Sequence, residues 1–281
     1  MDAFDAACHS LTSLSTGGFS TKQDSIAHFQ SAYTEYVIIF LMFSGGVRFL
    51  LLFQLFRHFS GQIFKDDEFK WYASIIIVAS AIIIASLYLG NFKTPSIEKT
   101  VRTVLFQVVS AVSSTGFATT NILQWGQFYW FIILGLILFC GSEGSTSGGM
   151  KISRLIILVR NTKVALQRQV HPQALYVVKI NNQVYSNTII EKVLAFVFLY
   201  LSIIGFSSIV LSLNGLTFDE SIGTSISIMS SYGFGLGDYG PSVNYTYLNN
   251  FTKHYLSILM IVGRLEVFTV LSLLSPSFWR R

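Results

Sequence analysis

The segment LSTGGFST, Leu14 to Thr21, places two glycines among hydroxyl-bearing side chains at the end of a mildly apolar run. The pattern returns twice along the chain, and each copy ends in Ser, then Thr or Tyr, then Gly. The copies are HSLTSLSTGGFST (His9 to Thr21), QVVSAVSSTGFAT (Gln107 to Thr119) and GTSISIMSSYGFG (Gly223 to Gly235). An internal repeat predicts one structural unit used several times, here with Gly17, Gly116 and Gly233 aligned.

The composition around these repeats is that of a membrane protein. Hydrophobic residues make up 52% of the 281 positions and charged residues only 12%, which is far from the balance of a soluble globular domain. About 20 apolar residues are needed to cross a hydrocarbon core of about 30 Å. Five segments satisfy this length: Tyr36 to Phe56, Trp71 to Gly90, an interrupted one from Gln127 to about Arg160, Val193 to Leu213, and Tyr255 to Leu274.

Each repeat is too short to span the bilayer and is followed by a long apolar segment, which predicts a half-length helix that enters the membrane and a chain that returns as extended backbone. Extended backbone cannot face lipid, because its unpaired polar groups would be costly, so it must line a wet cavity. Its carbonyls can then replace the hydration shell of a cation, and glycine permits the angles required. The alternative is that small residues merely allow helices to pack closely, but three copies in register favour the ion path.

The net charge of +5 follows the predicted membrane topology and does not indicate nucleic-acid binding. Twelve of the nineteen Lys and Arg residues lie in three segments that we expect on the cytoplasmic side, as the positive-inside rule requires. They are Arg57, Lys65, Lys70, Lys151, Arg154, Arg160, Lys163, Arg168, Lys179, Lys192, Arg280 and Arg281. The opposite side keeps Lys22, Lys93, Lys99, Arg102 and Lys253.

Two further stretches carry a family resemblance. GRLEVFTVLSLLSPSFWRR, Gly263 to Arg281, and GSEGSTSGGMK, Gly141 to Lys151, together with the repeats, resemble the Trk/Ktr/HKT superfamily of potassium transporters and, within it, the membrane subunit of bacterial Trk systems. The resemblance implies an all-α polytopic membrane protein built of span, pore-helix, filter-loop, span units around a pseudo-fourfold pore. Three of the four units are present, at 1–70 (partial), 71–188 and 189–281, so we expect an N-terminally truncated chain.

The resemblance also implies the residues that form the ion path. The filter is expected to bind a potassium ion, the only metal expected, through carbonyl and hydroxyl oxygens of three short stretches. These are Ser15, Thr16, Gly17 and Gly18; Ser114, Thr115, Gly116 and Phe117; and Ser231, Tyr232, Gly233 and Phe234. Tyr232 and Phe234 are bulkier than the family pattern, which leaves the ion preference of the fourth unit open.

The small polar loop inside the third apolar segment is expected, by the same resemblance, to lie under the filter as a gate. The gating residues are Gly141, Ser142, Glu143, Gly144, Ser145, Thr146, Ser147, Gly148, Gly149, Lys151 and Arg264. A phosphate-binding loop is the alternative, because Gly144 and Gly149 have its spacing. However, Met150 occupies the position of its lysine and no strand is predicted before it.

Charges within the spans need a cavity or a partner. The resemblance implies that Arg264 lies beside the pore below the filter; the alternative is a structural tie to Glu266 or to loop carbonyls. Glu143 departs from the family pattern, and we expect it to pair with Arg264 in the closed state. Arg48, which follows Gly45 and Gly46, is interpreted as structural.

The sequence therefore predicts potassium transport in the bacterial inner membrane by a multi-pass protein. The alternatives are a truncated, non-conducting remnant or assembly subunit, and a cation-coupled secondary transporter. No enzyme motif is recognised, and Cys8 and Cys140 are interpreted as unpaired structural thiols. The resemblance implies a homodimer and a cytosolic nucleotide-binding regulatory subunit of the TrkA type. No covalent or organic cofactor is expected on this chain, because nucleotide binds that partner. The basic stretch Lys151 to Lys179 is either its docking surface or a plain positive-inside loop.

Overall fold

The computed structural model describes residues 1–58, 61–90, 96–120, 125–174, 176–181, 183–235 and 245–279. Helices dominate these ranges. They are α1 (Ala3–Leu14), α2 (Ala32–Gly45), α3 (Phe49–His58), α4 (Asp67–Leu89), α5 (Ile97–Val112), α6 (Gln127–Leu138), α7 (Ile152–Val170), α8 (Asn187–Leu213), α9 (Phe218–Met229), α10 (Asn250–Leu265), α11 (Val267–Leu274) and α12 (Pro276–Trp279). Short strands are β1 (Phe139–Cys140), β2 (Met150–Lys151), β3 (Lys179–Ile180) and β4 (Gln183–Val184). Lys93, Arg280 and Arg281 lie outside the described residues.

Within the described ranges, two helices, α4 and α8, are long and apolar enough to cross a membrane alone. Their 23 and 27 residues correspond to about 35 and 40 Å of helix. Asp66 caps α4, because its Oδ1 accepts a hydrogen bond of 3.0 Å from Phe69 N. These helices confirm the predicted spans Trp71 to Gly90 and Val193 to Leu213.

The helices that precede the glycine turns are shorter. α1 and α9 have 12 residues, about 18 Å, and α5 has 16, about 24 Å. Neither length crosses the hydrocarbon core of about 30 Å. The last seven residues of α5, from Phe106 to Val112, are all buried. The three helices are therefore half-length, as expected, and the end of α5 is enclosed by protein, whereas most of α1 is exposed.

Two of the predicted spans are not continuous helices. The segment expected from Tyr36 to Phe56 bends by 111° between α2 and α3, and the one expected from Tyr255 to Leu274 bends by 110° between α10 and α11. At the second bend Glu266 adopts a φ of +66°, outside the helical region. The prediction of uninterrupted spans was wrong, because hydropathy does not register a break in the backbone when apolar residues continue on both sides.

Hydrogen bonds to another segment stabilise the break between α2 and α3. In a continuous helix Phe49 N would donate to Gly45 O. Here Phe49 N donates instead to Gly144 O (3.2 Å), and Gly45 O accepts from Thr146 N (3.3 Å) and Thr146 Oγ1 (3.1 Å). The groups released by the break are thus paired with residues 141–149, which satisfies the requirement for backbone at membrane depth.

The third apolar segment is interrupted, as the sequence predicted. α6 ends at Leu138, α7 begins at Ile152, and the nine residues between Cys140 and Met150 form the loop, hereafter the intramembrane loop (residues 141–149). β1 and β2 pair in parallel at its neck, with Phe139 opposite Met150 and Cys140 opposite Lys151. The two ends of the loop therefore lie side by side.

A hairpin of β3 and β4 binds the start of α4. Asn181, at its turn, donates from Nδ2 to Asp66 Oδ2 (2.8 Å) and accepts at Oδ1 from Asp67 N (2.7 Å). Arg160 of α7 pairs with Asp67 at 2.8 Å. The hairpin and α7 are thus fixed to the end of α4 from which Glu68 projects.

Candidate filter and intramembrane loop

The chain turns in the same way after α1, α5 and α9. Each turn contains two residues with positive φ, with one residue between them. The backbone N–H of this middle residue donates to the carbonyl oxygen of the residue five positions earlier. The positive-φ pairs are Thr16 and Gly18, Ser114 and Gly116, and Ser231 and Gly233. The hydrogen bonds are Gly17 N to Thr12 O (2.8 Å), Thr115 N to Ser110 O (3.0 Å) and Tyr232 N to Ser227 O (2.9 Å). The three segments are therefore one local structure in three copies.

This geometry corrects the alignment of the first copy by one residue. Gly18, with φ +69°, is the counterpart of Gly116 (+83°) and Gly233 (+98°), whereas Gly17 has no positive φ. Consequently Thr16, and not Ser15, corresponds to Ser114 and Ser231. The sequence pattern could not distinguish the two, because adjacent glycines match the motif equally well.

Neighbouring turns touch through backbone atoms. A methyl group on Gly18 would overlap the carbonyl oxygen of Thr115, and one on Gly116 would overlap that of Tyr232. The second positive-φ glycine of one turn therefore faces the carbonyl of the middle residue of the next turn. This holds from the first turn to the second and from the second to the third. This repeated contact orders the three turns side by side, as around a common axis.

The predicted filter side chains differ in exposure. Thr16, Ser114, Thr115, Phe117 and Tyr232 are buried, while Ser15 and Gly17 are exposed. The Tyr232 ring packs edge-on against Phe234 at a centroid distance of 5.8 Å. The two bulky rings of the turn after α9 are thus packed against each other and against protein.

The intramembrane loop contacts all three turns. Thr146 Oγ1 shares its proton between Gly45 O and Leu14 O (3.0 Å) at the end of α1, and Gly148 N donates to Ser114 Oγ (2.7 Å). A methyl group on Gly148 would lie 2.5 Å from Ser230 O. Each of these contacts is made at or just after the C-terminal end of α1, α5 or α9, so the loop lies against the ends of these three helices.

A carboxylate that the sequence analysis missed holds the beginning of this loop. Glu68, only 2% exposed, accepts from Arg48 Nη2 at Oε1 (2.6 Å) and from Glu143 N at Oε2 (3.1 Å). Arg48 Nε in turn donates to Glu143 O (3.1 Å). Arg48 is therefore structural, as interpreted. Burial and the carboxylates of Glu143 and Glu68 raise the pKa of Tyr185, which follows the hairpin.

The expected pair of Glu143 and Arg264 is not formed. Among the described residues Glu143 engages through its backbone, and Arg264 is exposed without an ion pair. Glu266, the alternative partner of Arg264, pairs with Arg154 at 2.8 Å. The expectation of a Glu143–Arg264 pair was wrong, because the backbone of Glu143 is held at Glu68 and Arg48 on the start of α4 and beside α3. The alternative pair with Glu266 is not formed either, because that carboxylate binds Arg154 of α7.

The remaining predicted loop residues are held mostly within the loop. Ser145 Oγ donates to Ser142 O (2.6 Å) and lies 2.9 Å from Ser147 Oγ. Lys151 Nζ donates to Ser147 O. Gly141 and Gly149 are buried, and added methyl groups would meet Ser147 Oγ at 2.5 Å and Cys140 Sγ at 2.7 Å respectively. A methyl group on Gly141 would also meet Gly46 O at 2.6 Å, and Gly149 has a φ of +64°, so larger side chains are disfavoured at both positions.

Comparison with known proteins gives a consistent result. The family model TrkH, described as a cation transport protein, matches residues 1–281. The Trk system potassium uptake protein TrkH of Escherichia coli is 32% identical over 281 residues, which cover 100% of this chain and 58% of that relative. TrkI of Halomonas elongata, also named a Trk system potassium uptake protein, is 30% identical over 283 residues, with coverages of 100% and 57%.

A solved structure is similar throughout the chain. The crystal structure of the potassium transporter TrkH from Vibrio parahaemolyticus matches with a TM-score of 0.91 at 29% identity, covering 100% of this chain and 60% of that one. The chain spans about 58% of the length of the Escherichia coli relative. The family match over residues 1–281, the apolar helices and the structural similarity show that this chain is an all-α polytopic membrane protein that belongs to the TrkH family of cation transport proteins.

Proposed function

We propose that the chain conducts potassium ions across the bacterial inner membrane as the membrane subunit of a Trk-type uptake system. The observation that carries the proposal is the threefold recurrence of one turn geometry, with each glycine against the carbonyl of the next unit. Relatives named potassium uptake proteins support the choice of ion. The mechanism needs no resident cofactor and no enzymatic step.

In this mechanism the ion is dehydrated at the turns. Carbonyl oxygens of residues 16–19, 114–117 and 231–234 replace its water shell, and the hydroxyl groups of Thr16, Ser114 and Ser231 contribute where they reach the path. Two residues in each turn have left-handed backbone angles, so the successive carbonyls of the turn do not all point along one axis as they do in an α-helix. Selectivity then rests on the number and rigidity of these oxygens.

The intramembrane loop is the proposed gate. It lies beneath the turns and fills space that an ion would need, so conduction requires its displacement. The basic groups of Lys151 and Arg264 lie on the proposed exit path and repel cations there. A moving loop must exchange its hydrogen bonds with Gly45, Phe49 and Leu14 for others, which favours water entering the space.

The proposed organisation follows the repeats. Residues 1–70, 71–188 and 189–281 form three pore units, and the chain acts as a homodimer with a cytosolic nucleotide-binding regulatory subunit. The basic stretch from Lys151 to Lys179 and the adjacent hairpin support a cytosolic contact, since both lie at the same end of α4 as Asp66 and Asp67. Nucleotide would bind the regulatory subunit.

Potassium uptake tests this proposal. In bacteria without their own high-affinity uptake systems, the chain should restore growth at low potassium, and Gly116→Asp should abolish it because the side chain would overlap Tyr232 O. Gly205→Ala, with open space beside Gly205 in α8, controls for replacing a membrane glycine. Membrane-inserted wild-type chain that restores no uptake would contradict the proposal.

A further inference from the structure

The pore helices support two of the three turns through a hydroxyl group. Thr12 Oγ1 lies 3.0 Å from Phe19 O and also from Cys8 O, so its proton is shared between them, and Ser110 Oγ donates to Phe117 O (2.8 Å). In both units this hydroxyl belongs to the residue whose carbonyl accepts the N–H at the centre of the turn. The bond therefore ties the returning strand to its own pore helix.

The third turn lacks this support. Ser227 is the equivalent residue, since its carbonyl accepts from Tyr232 N. It is fully buried, yet its Oγ has no hydrogen-bond partner among the residues that the structure describes. The returning strand after α9 is consequently held by something other than its pore helix.

Tyr245, in the segment that follows the turn in the sequence, supplies a hydrogen bond to the third turn. Its phenol OH donates to Gly233 O at 3.1 Å. The side chain is half-buried and projects from a 3-10 turn, Tyr245–Tyr247. That turn is fixed by a hydrogen bond from Leu248 N to Tyr245 O (3.3 Å) and another from Lys253 Nζ to Thr246 O (2.9 Å).

The carbonyl that Tyr245 binds is a filter position. Gly233 corresponds to Gly18 and Gly116, whose carbonyl oxygens accept no hydrogen bond within the described ranges. A carbonyl oxygen has two lone pairs, so one can accept the phenol while the other faces an ion. Among the three turns, therefore, only the last has this carbonyl oriented by a side chain in the described structure.

We propose that Tyr245 is a positioning residue that sets the ion preference of the filter by fixing the direction of the Gly233 carbonyl. The inference rests on the proposed function and extends it, because it assigns selectivity to a residue outside the glycine motif. Discrimination between potassium and sodium depends on the field and placement of the coordinating carbonyls. A carbonyl free to rotate adapts to the smaller ion, so loss of the phenol lowers the preference for potassium.

The test measures ion binding directly. The full chain is purified, and its melting temperature is recorded against KCl or NaCl, with choline chloride holding the ionic strength constant. In Tyr245→Phe the half-saturating potassium concentration should rise about five-fold, the typical weight of one hydrogen bond, and the sodium value should change less. Tyr255→Phe is the matched control, because that phenol lies 2.8 Å from Ser207 Oγ on α8, away from the turns.

Each outcome decides one question. A wild-type chain that potassium stabilises no more than choline would overturn the proposed function and with it the role of Tyr245. Potassium stabilisation that is equal in wild type and Tyr245→Phe would overturn the role of Tyr245 alone, as would a lower melting temperature with unchanged half-saturation. Ser227→Ala should behave as wild type; a shift equal to that of Tyr245→Phe would show that the pore helix supports the third turn after all.

Discussion

Replacing Gly18 by alanine is expected to reduce potassium uptake to the level of cells without the protein. Gly18 has a φ of +69°, where an L-residue is strained, and its added methyl group would overlap the carbonyl oxygen of Thr115. The strain alone is about 1–2 kcal/mol, and the overlap must move a filter carbonyl of the neighbouring unit. Rubidium uptake by cells, normalised to the amount of protein in the membrane, measures the effect.

The neighbouring glycine provides the control. An added methyl group on Gly17 would meet only Phe19 and Ser15 side-chain atoms at 3.4 Å or more, and Gly17 lacks a positive φ. Gly17→Ala should therefore retain most of the uptake. The opposite result, with Gly17→Ala inactive and Gly18→Ala active, would restore the alignment suggested by the sequence and contradict the turn geometry.

This one-residue difference illustrates what the sequence could and could not predict. The repeated Ser, Gly and apolar pattern predicted three half-length helices with turns, since composition and length determine whether a helix can cross the bilayer. The Gly-rich interruption predicted the intramembrane loop. The choice between Gly17 and Gly18 depends on backbone angles and on Thr115 in the next unit, which no local pattern contains.

The breaks in two helices were unpredictable for a related reason. The segment around Gly45 is apolar on both sides, so hydropathy indicates one span. The helix breaks because Gly144 and Thr146, about 100 positions away in the sequence, take over the hydrogen bonds of Phe49 and Gly45. Glu68 was missed similarly: an acidic residue in the first turn of a helix is favourable anyway, and only the fold brings Arg48 and the loop to it.

Glu68→Gln should open the intramembrane loop. Arg48 Nη2 and Glu143 N bind different oxygens of the carboxylate, and glutamine replaces one of these oxygens with an NH₂ group, so one of the two N–H groups then faces another donor. One part-buried donor is then left unpaired, at a cost near the lower end of the range for a buried group, about 1–1.5 kcal/mol. Glu143 of the loop binds Glu68 and Arg48 only while the loop is closed, so the loss falls on the closed state and basal potassium conduction rises.

The reaction of a cysteine in the loop with a thiol reagent measures loop opening independently of transport. Ser147, 3% exposed, is replaced by cysteine in a background without the native thiols (Cys8→Ser, Cys140→Ala), and its rate of modification by a membrane-impermeant thiol reagent is recorded. Glu68→Gln should raise the rate about ten-fold or more, the factor that corresponds to about 1.4 kcal/mol. Rubidium efflux from proteoliposomes containing the full chain should rise in parallel.

Glu35→Gln distinguishes loop opening from general destabilisation. Glu35 forms a similarly buried ion pair with Arg102 at 2.7 Å, between α2 and α5, and has no described contact with the loop. Both variants lose one buried carboxylate, so an effect of global unfolding would appear in both, whereas release of the loop appears only with Glu68. Equal modification rates in the two variants would contradict the assignment. An increase confined to Glu68→Gln would show that the start of α4, rather than a pair of Glu143 with Arg264, holds the gate closed.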